Sequence, residues 1–323
     1  MPSAAKHALA AKVTLVVDRY RLGKGTPLLV AATRGAVWVL MAVGPRADMS
    51  APIGEGRVAV RVDPATGKVL ARVRLSDGAT DLAASPGAAW VGVETTTSLL
   101  VDRIDARTAK VTTAGSVPGD GANHYEQVVA TDGAVWVIEG EGVVRINPAT
   151  RQVVARVAMP GDPSVIVATP GGLWALTGVE VGTEPHSAVV GIDGSTNAVT
   201  KMVAVPGGGT AGMTYADGSL WVQNGGLARV DLRTGRLTQS AISLRSPFAQ
   251  SLAQLRASGT HLWELNSLIS STFGRMDAAL VDLAGTPRVS RRFQMAGAYQ
   301  AATAAPSGLW IATRTDLVRV RPA

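Results

Sequence analysis

Seven tryptophans divide this chain into seven similar parts. Trp38, Trp90, Trp136, Trp174, Trp221, Trp263 and Trp310 follow one another at spacings of 52, 46, 38, 47, 42 and 47 residues. Each sits in a Gly-led apolar run such as Gly133-Ala134-Val135-Trp136-Val137. A second run follows and ends in an Asp or Asn turn, as in Val144-Arg145-Ile146-Asn147-Pro148-Ala149-Thr150. A third follows that, as in Val153-Val154-Ala155-Arg156-Val157. A repeat of about 45 residues marks units that bury their apolar faces only against their neighbours, and this length suits a propeller blade. Seven such units occupy the whole chain, so one domain over 1–323 is expected, with residues 1–10 as a disordered leader.

Each unit reads as four strands, A to D. In the third they are Gln127–Thr131, Ala134–Glu139, Gly142–Asn147 and Gln152–Met159. All are short, Val-rich and bounded by Gly, Pro, Asp or Asn. Strand B is apolar on both faces, as expected between neighbouring blades. The C–D turns repeat most closely, for example Asp63-Pro64-Ala65-Thr66-Gly67 and Asp231-Leu232-Arg233-Thr234-Gly235. Their Asp accepts hydrogen bonds from the turn backbone, and Gly or Asn supplies positive φ at the end. The last unit stops after strand C, while Lys12 to Gly23 has the pattern of an orphan strand D. The predicted fold is therefore all-β: a seven-bladed β-propeller of four-stranded blades, closed by the N-terminal strand. Closure removes the open sheet edges of a linear array.

Composition narrows the chemistry. Without cysteine there is no disulfide, thiolate metal site or cysteine nucleophile. No apolar run reaches the roughly 18 residues of a membrane span. Residues 1–12 lack the apolar region of a secretory signal, so the cytoplasm is expected unless a leader has been removed, in which case the envelope or exterior is. A monomer is expected. The net charge is +7 and the pI near 10.1. Arginines recur at repeat positions: Arg61, Arg103, Arg145, Arg229 and Arg319 in strand C, and Arg72, Arg74 and Arg156 in strand D. They are expected to spread charge over a solvated rim.

Gly-Ala-Val-Trp-Val followed by Asp-Pro-Ala-Thr-Gly-Lys-Val-Leu-Ala-Arg-Val resembles the YVTN-type propeller repeat of YncE-like proteins. The resemblance covers essentially the whole chain and implies a seven-bladed, WD40-like propeller, often extracytoplasmic and often a binding module. The B–C connections are long in copies 1, 4 and 6, around 42–56, 178–186 and 267–276. Loops of that kind often carry function.

In a propeller the D–A and B–C connections share one face. All eight glutamates are expected in or beside them: Glu55, Glu94, Glu126, Glu139, Glu141, Glu180, Glu184 and Glu264. His124, His186, Tyr125, Phe248, Phe273 and Tyr299 join them, whereas His261 maps to the opposite face. The sharpest constellation is His124, Glu126, Glu139 and His186. Imidazole beside carboxylate suits an acid–base pair or a divalent cation, with His124, Glu126 and His186 as ligands. His124-Tyr125-Glu126 with Glu139 one strand later is similar, in inverted order, to the Glu-x-His and Glu of virginiamycin B lyase propellers. That resemblance implies lyase chemistry with a divalent cation. Asp81, Tyr125, Gln127, Glu141, Glu184, Phe248, Glu264 and Tyr299 are candidate ligand-binding residues on the same face.

Two functions compete. One is a non-enzymatic propeller presenting its funnel face to a small molecule, peptide or protein partner. The other is a metal-assisted or acid–base enzyme with a site between blades 3 and 4. Single-stranded nucleic acid would need a basic groove with stacking aromatics, and here the aromatics lie with the glutamates. No Gly-x-Ser-x-Gly elbow is present, and Gly207-Gly208-Gly209 precedes no helix and is not a phosphate loop.

Overall fold

A computed structural model describes residues 13–44, 56–118, 127–131, 133–181, 184–206, 212–223, 226–240, 242, 251–268, 275–296 and 299–323. The side chains of 180, 181, 184–186, 251–253, 266–268, 275 and 296 are outside the description. Seven antiparallel four-stranded sheets form a ring, and in six of them the strands pair in chain order. Blade 1 is Thr26–Ala32, Val37–Val43, Gly56–Val62 and Val69–Leu75. Blade 7 takes Tyr299–Ala305, Gly308–Thr313 and Leu317–Pro322 from the end of the chain and Leu15–Tyr20 from its start. The orphan strand thus pairs Leu15 with Pro322 and Tyr20 with Leu317, which closes the ring as expected.

One apolar cluster fills each interface between adjacent blades, and each holds the tryptophan of the earlier blade. All seven are buried, the most accessible, Trp174, being 6% exposed. The period of the sequence is therefore the period of the packing. Truncating such a residue to Ala typically costs about 3–5 kcal/mol.

The C–D turns behave as their residues dictate. Asp63 Oδ1 accepts from the Ala65 and Thr66 N–H at 2.7 and 2.8 Å, and Asp193 Oδ1 from Ser195 and Thr196 at 2.9 and 2.8 Å. These bonds hold the turn carboxylates below the usual range: the side-chain hydroxyl of Ser195, then the Thr196 N–H, lower Asp193 to about 2. The positive-φ residue is Gly67, Asn197 and Gly235 in three turns, but Ala109 (φ 58°) and Arg151 (φ 64°) in two others. There the repeat keeps its geometry at the expense of a strained side chain.

The solvated-rim expectation is corrected for four of the five strand-C arginines: Arg61, Arg103 and Arg145 are half-buried and Arg319 is buried. Each of the five pairs directly across from its blade's tryptophan: Arg61 with Trp38, Arg103 with Trp90, Arg145 with Trp136, Arg229 with Trp221, Arg319 with Trp310. The Arg145 guanidinium lies 5.4 Å from the Trp136 ring centre and donates to Gly194 O at 2.6 Å, in the C–D turn of the next blade. Arg61 reaches Ala106 O and Arg319 reaches Pro64 O in the same way. A planar cation that stacks and forks suits this staple better than a lysine ammonium. In blade 4 the position is Gly191, against which the Trp174 ring packs. Lys201, directly across from Gly191, supplies the bond instead, donating to Arg233 O at 2.6 Å. Arg72, Arg74, Arg156 and Arg229 are exposed, as the rim reading expects.

The long B–C connection of blade 4 is also corrected. Val179 pairs with His186 and Val181 with Glu184, so the connection is a strand extension of Gly172–Val181 on Glu184–Asp193. Val179 and Val181 favour the extended backbone over a loop.

Candidate functional site

The seven A strands stand around a central channel of about 550 Å³. On the side away from strand B their backbone groups face the bore, because an antiparallel ladder turns alternate residues to alternate sides. The tryptophans set the levels. Opposite them stand Ala31, Ala83, Val129, Val167, Thr214, Arg256 and Thr303. Two residues nearer the D–A end stand Leu29, Asp81, Gln127, Val165, Gly212, Gln254 and Ala301. The residues between these levels include Val128, Ile166 and Ala302, whose N–H or C=O turns toward the bore.

Three polar side chains use those backbone groups in the same way. Asp81 of blade 2 accepts from the Val128 N–H of blade 3. Gln127 of blade 3 accepts from the Ile166 N–H of blade 4 at 2.7 Å. Arg256 of blade 6 donates through Nε to Ala302 O of blade 7 at 2.6 Å. Each ties its own inner strand to the next while remaining part of the channel lining. Burial pushes the Asp81 carboxyl up to about 6, against the downward pull of the Val128 and Leu82 N–H groups. Among the described residues it is the one acidic residue of the lining.

Gln254 Oε1 receives both the Tyr299 hydroxyl at 2.6 Å and Arg256 Nη2 at 2.8 Å. Burial raises the Tyr299 phenol above its ordinary value, and the Arg256 charge opposes the rise. The channel thus carries a carboxylate on one wall and a guanidinium and an amide on the other, with the Tyr299 phenol bonded to that amide from the interface between blades 6 and 7. Such a set orients a polar ligand through both donors and acceptors. Arg256 lay outside the sequence candidates. Its signal was present: Gln254 and Arg256 stand at levels where most blades carry Ala, Val, Leu or Gly.

The remaining candidates are dispersed. Glu139 ends strand B of blade 3 and is ion-paired with Arg156 of the outer strand. Glu141 is exposed in the following turn. Glu184 and His186 lie on the blade 4 extension, with their side chains outside the described set. His124, Tyr125, Glu126 and Phe248 are outside the described residues. Among the described residues, no three His, Cys, Asp or Glu side chains lie together as a metal site. Glu264 departs from the expected loop face: it lies in the middle of His261–Leu268, wholly buried, and accepts from Gln223 Nε2 of blade 5 at 3.1 Å. A polar pair there keeps a buried carboxylate hydrogen-bonded within an otherwise apolar interface.

No protein-family model matches the sequence, and no curated protein matches it. Solved structures do match. Hydrazine synthase of Kuenenia stuttgartiensis superposes with a TM-score of 0.66 at 11% identity, over 94% of this chain and 97% of that one. A chain of the structure of U3-55K does so with a TM-score of 0.66 at 11% identity, over 95% and 98%. At that identity the likeness establishes the propeller fold alone. Among the described residues no helix is long and apolar enough to cross a membrane.

Proposed function

We propose that this chain is a YVTN-type propeller acting as a non-enzymatic binding module. Its ligand is a small molecule, or the projecting group of a peptide or protein partner. The ligand enters from the D–A/B–C face and is held in the channel by Asp81, Gln127, Gln254 and Arg256, with Tyr299 orienting the Gln254 amide. The observation that carries this reading is Asp81, a carboxylate that burial raises to about 6 on the wall of a channel of about 550 Å³. A ligand amine or other strong donor relieves that desolvation. The volume falls in the usual range of small-molecule sites.

The alternative is a metal-assisted or acid–base enzyme using His124, Glu126, Glu139 and His186. The Arg156 partner of Glu139 favours the binding reading, because it already neutralises one of the four groups.

The test is a thermal-shift screen of primary amines, amino acids and short peptides, with native mass spectrometry of the purified protein. A hit should bind one per chain and lose affinity in both Asp81→Ala and Gln254→Ala. A ligand whose affinity neither substitution changes would refute the channel as the site.

A further inference from the structure

A second cavity opens on the opposite face, where blades 6, 7 and 1 meet. Its volume is about 680 Å³. The floor is largely apolar and includes Pro64, Ala65, Pro306 and Trp263. Around it stand Arg34 from the A–B turn of blade 1, His261 from the start of the second strand of blade 6, and Arg319 and Arg321 from the third strand of blade 7. Among the described residues no acidic side chain lines it.

The charges do not cancel. Asp63 and Asp282 lie nearby but face Arg61 and Arg288; among the described residues Asp18 is the carboxylate ion-paired to the lining arginines, and two guanidiniums share it, Arg319 at 2.6 Å and Arg321 at 3.8 Å. One positive charge is left over. Arg34 adds a second: it is exposed and makes no hydrogen bond or ion pair among the described residues. Arg319 is fixed by its stack and its bond to Pro64 O, so it supplies field rather than reach. Arg34 and Arg321 are the more accessible forks.

We infer that this cavity binds a small phosphate monoester carrying an apolar body. A phosphate monoester holds about −1.5 to −2 charge at neutral pH, which matches the two uncompensated cations. Arginine forks suit its oxygens, and the apolar floor takes the organic part. A bare anion would leave that floor wet, and a neutral aromatic would leave the arginines without a counter-charge.

Calorimetry with phenyl phosphate tests this. One saturable site per chain is expected, with inorganic phosphate and phenol each weaker by about tenfold or more. Arg34→Gln should weaken phenyl phosphate by about tenfold, which is the size of one lost charge-assisted contact. Ala65→Glu, which sets a carboxylate at the cavity wall, should abolish binding. Both positions are exposed, so folding is preserved. Asp81→Asn, in the channel, should leave this affinity unchanged. Absence of saturable binding, or equal affinity in Arg34→Gln, would overturn the assignment. A phosphotyrosine peptide that binds much more tightly than phenyl phosphate would overturn the small-molecule identity and point to a modified protein instead.

Discussion

Substituting Arg319 by Ala removes the clasp that joins the two ends of the chain. Arg319 Nη2 and Nε donate to Asp18 Oδ2 at 2.6 and 2.9 Å, across a separation of 301 residues. Nη1 donates to Pro64 O of blade 1 at 2.7 Å. The guanidinium carbon lies 5.5 Å from the Trp310 ring centre and 5.7 Å from that of Tyr20, and these two rings stack on each other. The Arg319 side chain is 10% exposed and that of Asp18 30%. Breaking a buried pair costs about 3–5 kcal/mol. Here the partial hydration of Asp18 and the nearby Arg321 set the loss at the lower end, about 3 kcal/mol. In a chain this long each kcal/mol moves the melting temperature by about 2 °C, so Arg319→Ala should melt about 6 °C lower. Arg229 occupies the same repeat position but is exposed and, among the described residues, bonds only Ser219 Oγ of its own blade, at 2.7 Å. Arg229→Ala should cost less than about 1 kcal/mol. Urea melts of both variants, with Asp18→Asn alone and combined with Arg319→Ala, give the comparison. A coupling of at least about 1 kcal/mol between residues 18 and 319 is expected. Equal losses in the two arginine variants, or additive effects of the Asp18 and Arg319 changes, would refute the clasp.

Other outcomes follow from the same geometry. Asp81 has a raised folded-state pKa, so its ionisation opposes folding: the cost is absent below about pH 4 and fully present above about pH 6, of order 2–3 kcal/mol before allowance for its partial contact with the bore. Asp81→Asn keeps an acceptor for the Val128 N–H, so urea melts should show it stabilising at pH 8 and near neutral at pH 4. The turn aspartates act in the opposite sense. Asp105 and Asp193 are lowered to about 2, so the stability they contribute is present above pH 4 and is lost as pH falls toward 2, and replacing both by Ala should flatten the acid limb of the stability curve. Arg151→Gly relieves a left-handed residue at φ 64° and should stabilise by about 0.5–1 kcal/mol, read by the shift in urea midpoint. Chelator should leave the melting temperature of the wild type unchanged. A fall of a few degrees that disappears in His124→Ala would replace the binding module by the metal-dependent enzyme.

The architecture was legible because each of its causes is local or periodic. Seven tryptophans at like spacing required seven like interfaces, and Lys12 to Gly23 matched the strand that the last repeat lacked. Turn aspartates spelled out their own hydrogen bonds. Three things needed the tertiary structure. Arg145 and Arg319 looked like solvated charge because a sequence does not show that each lies over its own tryptophan, next to a carbonyl of the following blade. Glu264 looked like a loop residue because its partner, Gln223, belongs to another blade. The channel set was hidden for the same reason: Asp81, Gln127, Gln254, Arg256 and Tyr299 come from four blades, and only the closed ring brings their levels together. A repeat determines what each unit is. Contacts between units depend on side chains that break the repeat, and those acquire neighbours only when the ring closes.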